Sequence, residues 1–344
     1  MKYFFCGTDE AGYGPNLGPL SVSASLWSAE LPRSEDPLSL LNKRAGSCFE
    51  DKKGFRICDS KKLYHSGRLA PLERSFFYAY ETVASRSDEL PLFRESLKHE
   101  PVISSPWLDI FRSFSASPES ERKFIPPWEQ ESVFSLPLTT EDGWLESFAI
   151  DREKTNARLE QEGISLFGIR SRRVQPHEFN LLVDRLGLKS ELLAAVTLQT
   201  AQSLIMPLLE ESSCEEKEII LCCDKLGGRN HYGDLLTEFF PDAIFQIEVE
   251  TREVSRYRFP LSRGQFTVIF QAKGESNIPS ALASILSKYQ REVSMKAFNR
   301  YWCKRLSGLK PTAGYPVDAK RFRDEIDPIR QAEGIGDPLF WRKK

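Results

Sequence analysis

The run Ile219-Ile220-Leu221-Cys222-Cys223 constrains the fold of this chain more than any other stretch. A continuous apolar run of this kind reads as a strand buried on both faces, so helices must cover both sides of its sheet. The rest of the chain supplies the partners. Tyr3 to Gly7 and Leu20 to Leu26 read as strands, the second alternating Leu20, Val22, Ala24 and Leu26 with small polar residues. A third short strand is expected at Phe55 to Cys58, followed by a helix whose one face carries Leu69, Leu72, Phe76, Phe77 and Tyr80. Further on come a strand near Ser165 to Arg170, a helical region opened by Pro176-His177-Glu178, and a helix from Leu192 to Met206 that Pro207 helps end. A helix near Tyr232 to Phe240 follows, then strands near Ile244 to Val249 and Gln265 to Ala272. A long helix from about Pro279 to Leu306 and a last one near Val317 to Ala332 complete the pattern. Strands alternating with helices predict an α/β domain with a mixed central sheet flanked by helices.

Between residues 89 and 163 the periodicity fails. Seven prolines interrupt it, yet Trp107, Trp128 and Trp144 are present, which a merely disordered linker would not be expected to keep. We read 89–163 as an inserted subdomain or lid within a core made of 1–88 and 164–344, the latter including a C-terminal helical part. At 344 residues such a core needs neither disulfides nor a structural metal. Seven cysteines without a C-x-x-C pair predict reduced, mostly buried thiols and a cytoplasmic protein. No apolar run approaches the roughly 18 residues of a membrane span, and Asp9 and Glu10 come too early for a signal peptide, so no membrane partner is expected.

The net charge of −2 hides an asymmetry. Residues 251 to 323 hold 15 Lys or Arg against Glu253, Glu275, Glu292 and Asp318, a local charge of +11 that leaves −13 for the remainder. With Tyr257, Phe259, Tyr289, Tyr301, Trp302 and Tyr315 interleaved, this stretch has the composition of a phosphate-binding surface, although a solvated helix face would look the same.

Carboxylates stand where predicted strands end, the place where α/β sheets gather their working groups. Asp9 and Glu10 close the first strand just before Ala11-Gly12-Tyr13-Gly14-Pro15. Asp224 closes the apolar run, and Glu275 follows the strand through Ala272. Neighbours on a regular strand point to opposite faces, so Asp9 and Glu10 can share a site only if the strand breaks at the glycine turn, where the break is expected. Each acid alone could be a cap, a turn residue or an exposed charge. As a set with few histidines they form hard ligands suited to Mg²⁺ or Mn²⁺, and two such ions can activate water against a phosphodiester.

Gly7-Thr8-Asp9-Glu10-Ala11-Gly12-Tyr13-Gly14-Pro15-Asn16-Leu17-Gly18-Pro19 closely resembles the opening signature of type 2 ribonuclease H, ribonuclease HII. Further matches follow in family order: Asp59-Ser60-Lys61-Lys62-Leu63, Pro176-His177-Glu178, Asp224, Lys273-Gly274-Glu275-Ser276 and Gly314-Tyr315-Pro316. The resemblance implies a ribonuclease H-like fold and metal-dependent hydrolysis of the RNA strand of RNA/DNA hybrids, or of ribonucleotides embedded in duplex DNA, leaving a 5′-phosphate and a 3′-hydroxyl. It places the catalytic, metal-binding acids on Asp9, Glu10, Asp224 and Glu275. It puts the backbone of Gly12, Tyr13 and Gly14 against the ribose 2′-hydroxyl, Tyr315 against the neighbouring nucleotide, and phosphate on Lys61 and Lys62. Lys273 is a further phosphate candidate. The chain departs from the family pattern at Tyr13, where an Arg is usual, at Glu275, where an Asp is usual, and in the 89–163 segment. These departures define an alternative: a nucleic-acid-binding protein on the same fold whose catalysis has faded. Another nuclease of the same fold, such as a junction resolvase, is a third reading.

Overall fold

The computed structural model describes residues 1–49, 54–64, 67–85, 106–118, 124–132, 134–139, 144–210, 216–226, 228–272 and 277–343. In chain order these form β1 (Lys2–Ala11), β2 (Leu20–Glu30), α1 (Pro37–Cys48), α2 (Ser60–Leu63), α3 (Ala70–Ser85), α4 (Pro106–Ser113), α5 (Pro127–Gln130) and α6 (Trp144–Gln161). Then come β3 (Ile164–Val174), α7 (Pro176–Leu186), α8 (Lys189–Glu210), β4 (Lys217–Asp224), α9 (Gly233–Phe239), β5 (Gln246–Glu250), β6 (Val254–Leu261) and β7 (Gly264–Gln271). The chain closes with α10 (Ile278–Arg305), α11 (Pro316–Ala332) and α12 (Asp337–Phe340).

The seven strands form one mixed sheet in the order β3-β2-β1-β4-β7-β6-β5. β1 runs parallel to β4, and β4 parallel to β7, while the remaining neighbours are antiparallel. The α/β architecture expected from the sequence, a mixed sheet flanked by helices, is the one observed. Alternation along β1 divides the core. Phe4 and Cys6 join Leu20, Val22, Ala24 and Leu26 in the cluster under α7, α8 and α9. Tyr3 and Phe5 join the opposite cluster, with α1, α3 and α10. On β2 the small polar partners face that second side: Ser23 Oγ and Ser171 Oγ lie 2.9 Å apart, and Ser25 Oγ donates to Pro279 O at 2.8 Å. Short side chains here let α10 lie close to the sheet. A third cluster joins Leu17 and Trp128 to Phe298, Trp302 and Phe322.

Several expectations change. Phe55 to Cys58 is not a strand. Its Phe55 is buried, and the Arg56 backbone bonds the Ser75 hydroxyl of α3 instead of a strand neighbour. Pro207 lies within α8, which continues to Glu210. β6 is a strand inside the basic stretch, where Arg256, Arg258 and Pro260 obscure its alternation. In the 89–163 segment, α6 is a regular helix, and Trp107, Phe111 and Phe148 belong to the same apolar cluster as Tyr3 and Phe5. By length and composition α8 is apolar enough to cross a membrane, although Thr197, Gln199 and Gln202 interrupt its apolar run. Here its Leu192, Val196 and Leu204 are buried in the cluster it shares with β1 and β2.

Candidate active site

The parallel register of β1 on β4 sets Cys6 opposite Leu221 and Gly7 opposite Cys222. The same offset carried two residues on brings Asp9 level with Asp224, and the Thr8 hydroxyl still reaches Cys222 O at 3.5 Å. Adjacent strands lie roughly 4.8 Å apart. Both carboxylates also share a face. Asp9 has the parity of Tyr3 and Phe5, and Asp224 that of Ile220 and Cys222, all packed on the α10 side. Asp224 pairs with Gln271 on β7, so a third strand ends at the same level. Glu275 and Lys273 lie just beyond that strand end and outside the described residues.

Asp9 is 7% exposed, and α10 holds its backbone: Ser287 Oγ donates to Asp9 O at 2.9 Å. This contact needs Gly7, because a Cβ there would lie 2.2 Å from Ser280 N at the start of α10. Asn277 caps that start, accepting from Ser280 N at 2.9 Å. α10 also carries the lysine motif. Ser284 Oγ, one turn before Ser287, bonds Ser60 Oγ at 2.8 Å, and Asp59 caps α2 through Lys61 N at 2.8 Å, leaving Lys61 and Lys62 on exposed positions. Lys288 stands beside them, 2.7 Å from Glu292 and 4.7 Å from the Tyr64 ring centre.

β1 runs regularly to the glycine turn, past both acids. β1 pairs with β2 through Ala11 opposite Ser21, and the turn begins only at Gly12. Glu10 consequently has the parity of Phe4 and Cys6 and faces the α8 side, where its charge acts after burial in raising the Tyr13 phenol above its ordinary value. Among the described residues no group of three or more His, Cys, Asp or Glu side chains is placed to hold one metal ion. Asp9 and Asp224 are the two sequence-predicted acids that the sheet brings together on one face.

The turn from Gly12 to Pro19 is held by two arginines that the sequence reading missed. Gly12 sits at φ 86°, and a Cβ there would meet the Arg291 side chain at 2.6 Å. Arg291 donates to Pro19 O at 2.6 Å, Leu17 O at 3.2 Å and Ala313 O at 3.1 Å, and burial pulls it down to about 10. Arg342, 1% exposed, donates to Gly12 O at 2.6 Å and also to Pro15 O. Burial, and then the Arg291 charge, draw Arg342 well below its ordinary value. Arg291 was legible in principle as a charge one helical turn past Ser287 on a buried helix face. Nothing local marks Arg342. Gly314 O accepts from Asn16 N at 2.8 Å, which brings Tyr315, 58% exposed, beside the turn whose Gly14 is also exposed. Lys189 Nζ lies 5.3 Å from the Tyr13 ring centre, its pKa lowered by burial and by Arg342. A cation therefore stands over the aromatic ring of the turn.

No protein-family model matches this sequence, and no curated protein matches it. Among solved structures, the chain is similar to ribonuclease H2 from Pyrococcus horikoshii, at 15% identity and TM-score 0.38, covering 99% of this chain and 92% of that one. It is similar to the ribonuclease HII of Archaeoglobus fulgidus solved in complex with PCNA, at 13% identity and TM-score 0.38, covering 99% and 94%. Aquifex aeolicus ribonuclease H3 is similar at 13% identity and TM-score 0.39, covering 98% and 71%.

Proposed function

We propose that this chain is a divalent-cation-dependent endonuclease of the ribonuclease H type, hydrolysing the RNA strand of RNA/DNA hybrids or ribonucleotides embedded in duplex DNA. The observation that carries this reading is the register that sets Asp9 level with Asp224 on one face, at the root of a turn with the ribonuclease HII-like sequence. Two carboxylates at the ends of adjacent strands are oxygen donors that fit Mg²⁺ or Mn²⁺. Asp9 and Asp224 would hold the ions, with Glu275; Glu10 would join them only across the end of β1, where the strand gives way to the Gly12 turn. When bound, such ions stabilise negative charge on a phosphodiester and favour attack by water. The chain's own groups position the substrate. The Gly12-Tyr13-Gly14 backbone, fixed by Arg291 and Arg342, meets the 2′-hydroxyl that distinguishes RNA from DNA. Tyr315 packs on the next nucleotide, and Lys61, Lys62 and Lys273 take phosphate.

One observation favours a second reading, a binding protein with faded catalysis: β1 stays regular through Ala11, so Glu10 faces away from Asp9. Cleavage separates the two. A labelled DNA duplex carrying one ribonucleotide, and an RNA/DNA hybrid, are incubated with the protein in Mg²⁺ and then Mn²⁺ beside the Asp9→Asn variant. The nuclease reading expects cleavage at the ribonucleotide, leaving a 3′-hydroxyl, that falls below detection in the variant while duplex binding persists. Binding with no cleavage in either metal supports the second reading.

A further inference from the structure

Three cations surround the turn from Gly12 to Pro19: Arg291, Arg342 and Lys189. Among the described residues none of them makes an ion pair. Arg291 and Arg342 are buried and donate to carbonyls, which satisfies hydrogen bonds but cancels no charge. Arg342 and Lys189 share a ring, their charged groups lying 4.8 Å and 5.6 Å from the centre of Phe179 on α7. Burial, and then this like charge, lower the Lys189 pKa. Other cations nearby do find acids. Lys343, next to Arg342 in sequence, meets Asp184 at 2.6 Å, and Glu191 in the first turn of α8 is taken by Arg229. Neither acid pairs with Lys189. Uncompensated positive charge gathered around one turn disfavours the free protein, and a bound anion removes that cost.

Of the three, Lys189 is the one placed to meet that anion. Both arginines are enclosed, whereas Lys189 is partly exposed and its ammonium keeps accessible surface. The ammonium stands 5.3 Å from the Tyr13 ring centre, a cation–π contact that holds a flexible side chain at the turn. Lys189 also begins α8, where the partial positive charge of the helix end favours an anion. This end of α8 lies at the end of the sheet that carries Asp9 and Asp224, because Arg229, just past Asp224, reaches Glu191. Beside Tyr13, Gly14 is exposed, and a Cβ placed there would have nothing within 4 Å. The backbone next to the ammonium is therefore open to a ligand.

We propose that Lys189 binds a backbone phosphate of the nucleic acid lying on this turn, on its α8 side, with the Tyr13 ring as the seat of the ammonium. This rests on the reading that the Gly12-Tyr13-Gly14 backbone meets nucleic acid, and adds to it a contact in which the ribose takes no part. Phosphate contacts fix the position of a strand without reading its sequence. Lys189 thus supplies affinity and register, and the glycine backbone the choice of sugar.

Fluorescence anisotropy of the full chain with a labelled RNA/DNA hybrid and a DNA duplex of the same sequence tests this, across a salt series in EDTA so that no strand is cut. Lys189→Met keeps an apolar stem over Tyr13 and removes the charge. It is expected to weaken binding of both duplexes severalfold and by the same factor. The log–log salt slope should become shallower by about 1, the share of one phosphate contact. Lys189→Arg should restore both. Lys154→Gln, the same loss of charge at an exposed position of α6, should leave the slope as it is. Should Lys189→Met fail to fold by circular dichroism, Lys189→Gln decides. The proposal is overturned by no duplex binding in the wild-type chain, or by unchanged affinity and slope in the folded variant. A loss confined to the hybrid, a loss that Lys189→Arg does not restore, or an equal change from Lys154→Gln also overturns it. Cleavage at a ribonucleotide with no effect of Lys189 on binding would do so while leaving the nuclease reading intact. Binding that depends on Lys189, with no cleavage in Mg²⁺ or Mn²⁺, would do the reverse.

Discussion

At Gly7 the strand and the long helix leave no room for a side chain. The nearest atoms to a Cβ would be the Ser280 nitrogen at 2.2 Å and the Pro279 carbonyl carbon at 2.4 Å, both backbone, so neither can swing aside. Gly7→Ala is therefore expected to push β1 off α10 at the level that supports Asp9, costing about 1–3 kcal/mol of stability as overpacking does. Chemical denaturation measures it, and an unchanged midpoint would contradict the close approach. Residue-level legibility was uneven. Asp9 and Asp224 were legible because each ends a recognisable apolar run. Arg291 and Arg342 were not, because their bonds go to carbonyls of a turn far away in sequence. The direction of Glu10 was not legible, because the length of β1 depends on pairing with β2, which extends the strand to Ala11.

Among elements, α3 shows how the 89–163 segment is fastened. Glu73 of α3 is fully buried, and its carboxyl oxygens accept from Leu138 N at 2.7 Å, Thr139 N at 2.8 Å and Tyr289 Oη of α10 at 2.5 Å. One side chain ties a helix of the core, the 134–139 segment and α10 together. Glu73→Gln keeps the shape but replaces an acceptor oxygen with an N–H₂ donor facing N–H and O–H donors. It should cost about 1–3 kcal/mol and raise hydrogen exchange at Leu138 and Thr139 N–H. Exchange there at the wild-type rate would show that the segment is held by other contacts. At this scale the strands with clean apolar patterns, β1, β2, β4 and β7, were readable. β6 was not, since its arginines pair or pack across the sheet, as Arg258 does with Glu248 at 2.8 Å. Phe55 to Cys58 misled because an apolar, extended segment packs on α3 without joining the sheet.

For the molecule as a whole, part of the linear charge is spent within the fold. Within the basic 251–323 stretch, Arg291 is buried, and Lys288, Arg305, Arg321 and Arg323 are engaged by Glu292, Glu131, Asp318 and Asp337. Duplex affinity should still fall with salt, but with a log–log slope on the order of −3 to −5, a few phosphate contacts. A slope near −10 would mean that most of that stretch touches phosphate, and a flat response that none of it does. In the proposed function, the register of β1 on β4 makes Asp9 and Asp224 one divalent-ion centre. Calorimetric titration of Mn²⁺ into the wild-type chain, Asp9→Asn and Asp224→Asn tests it most directly. Saturable Mn²⁺ binding is expected, weakened tenfold or more by either substitution, with the folded state retained. Mn²⁺ binding that survives either substitution unchanged would contradict it.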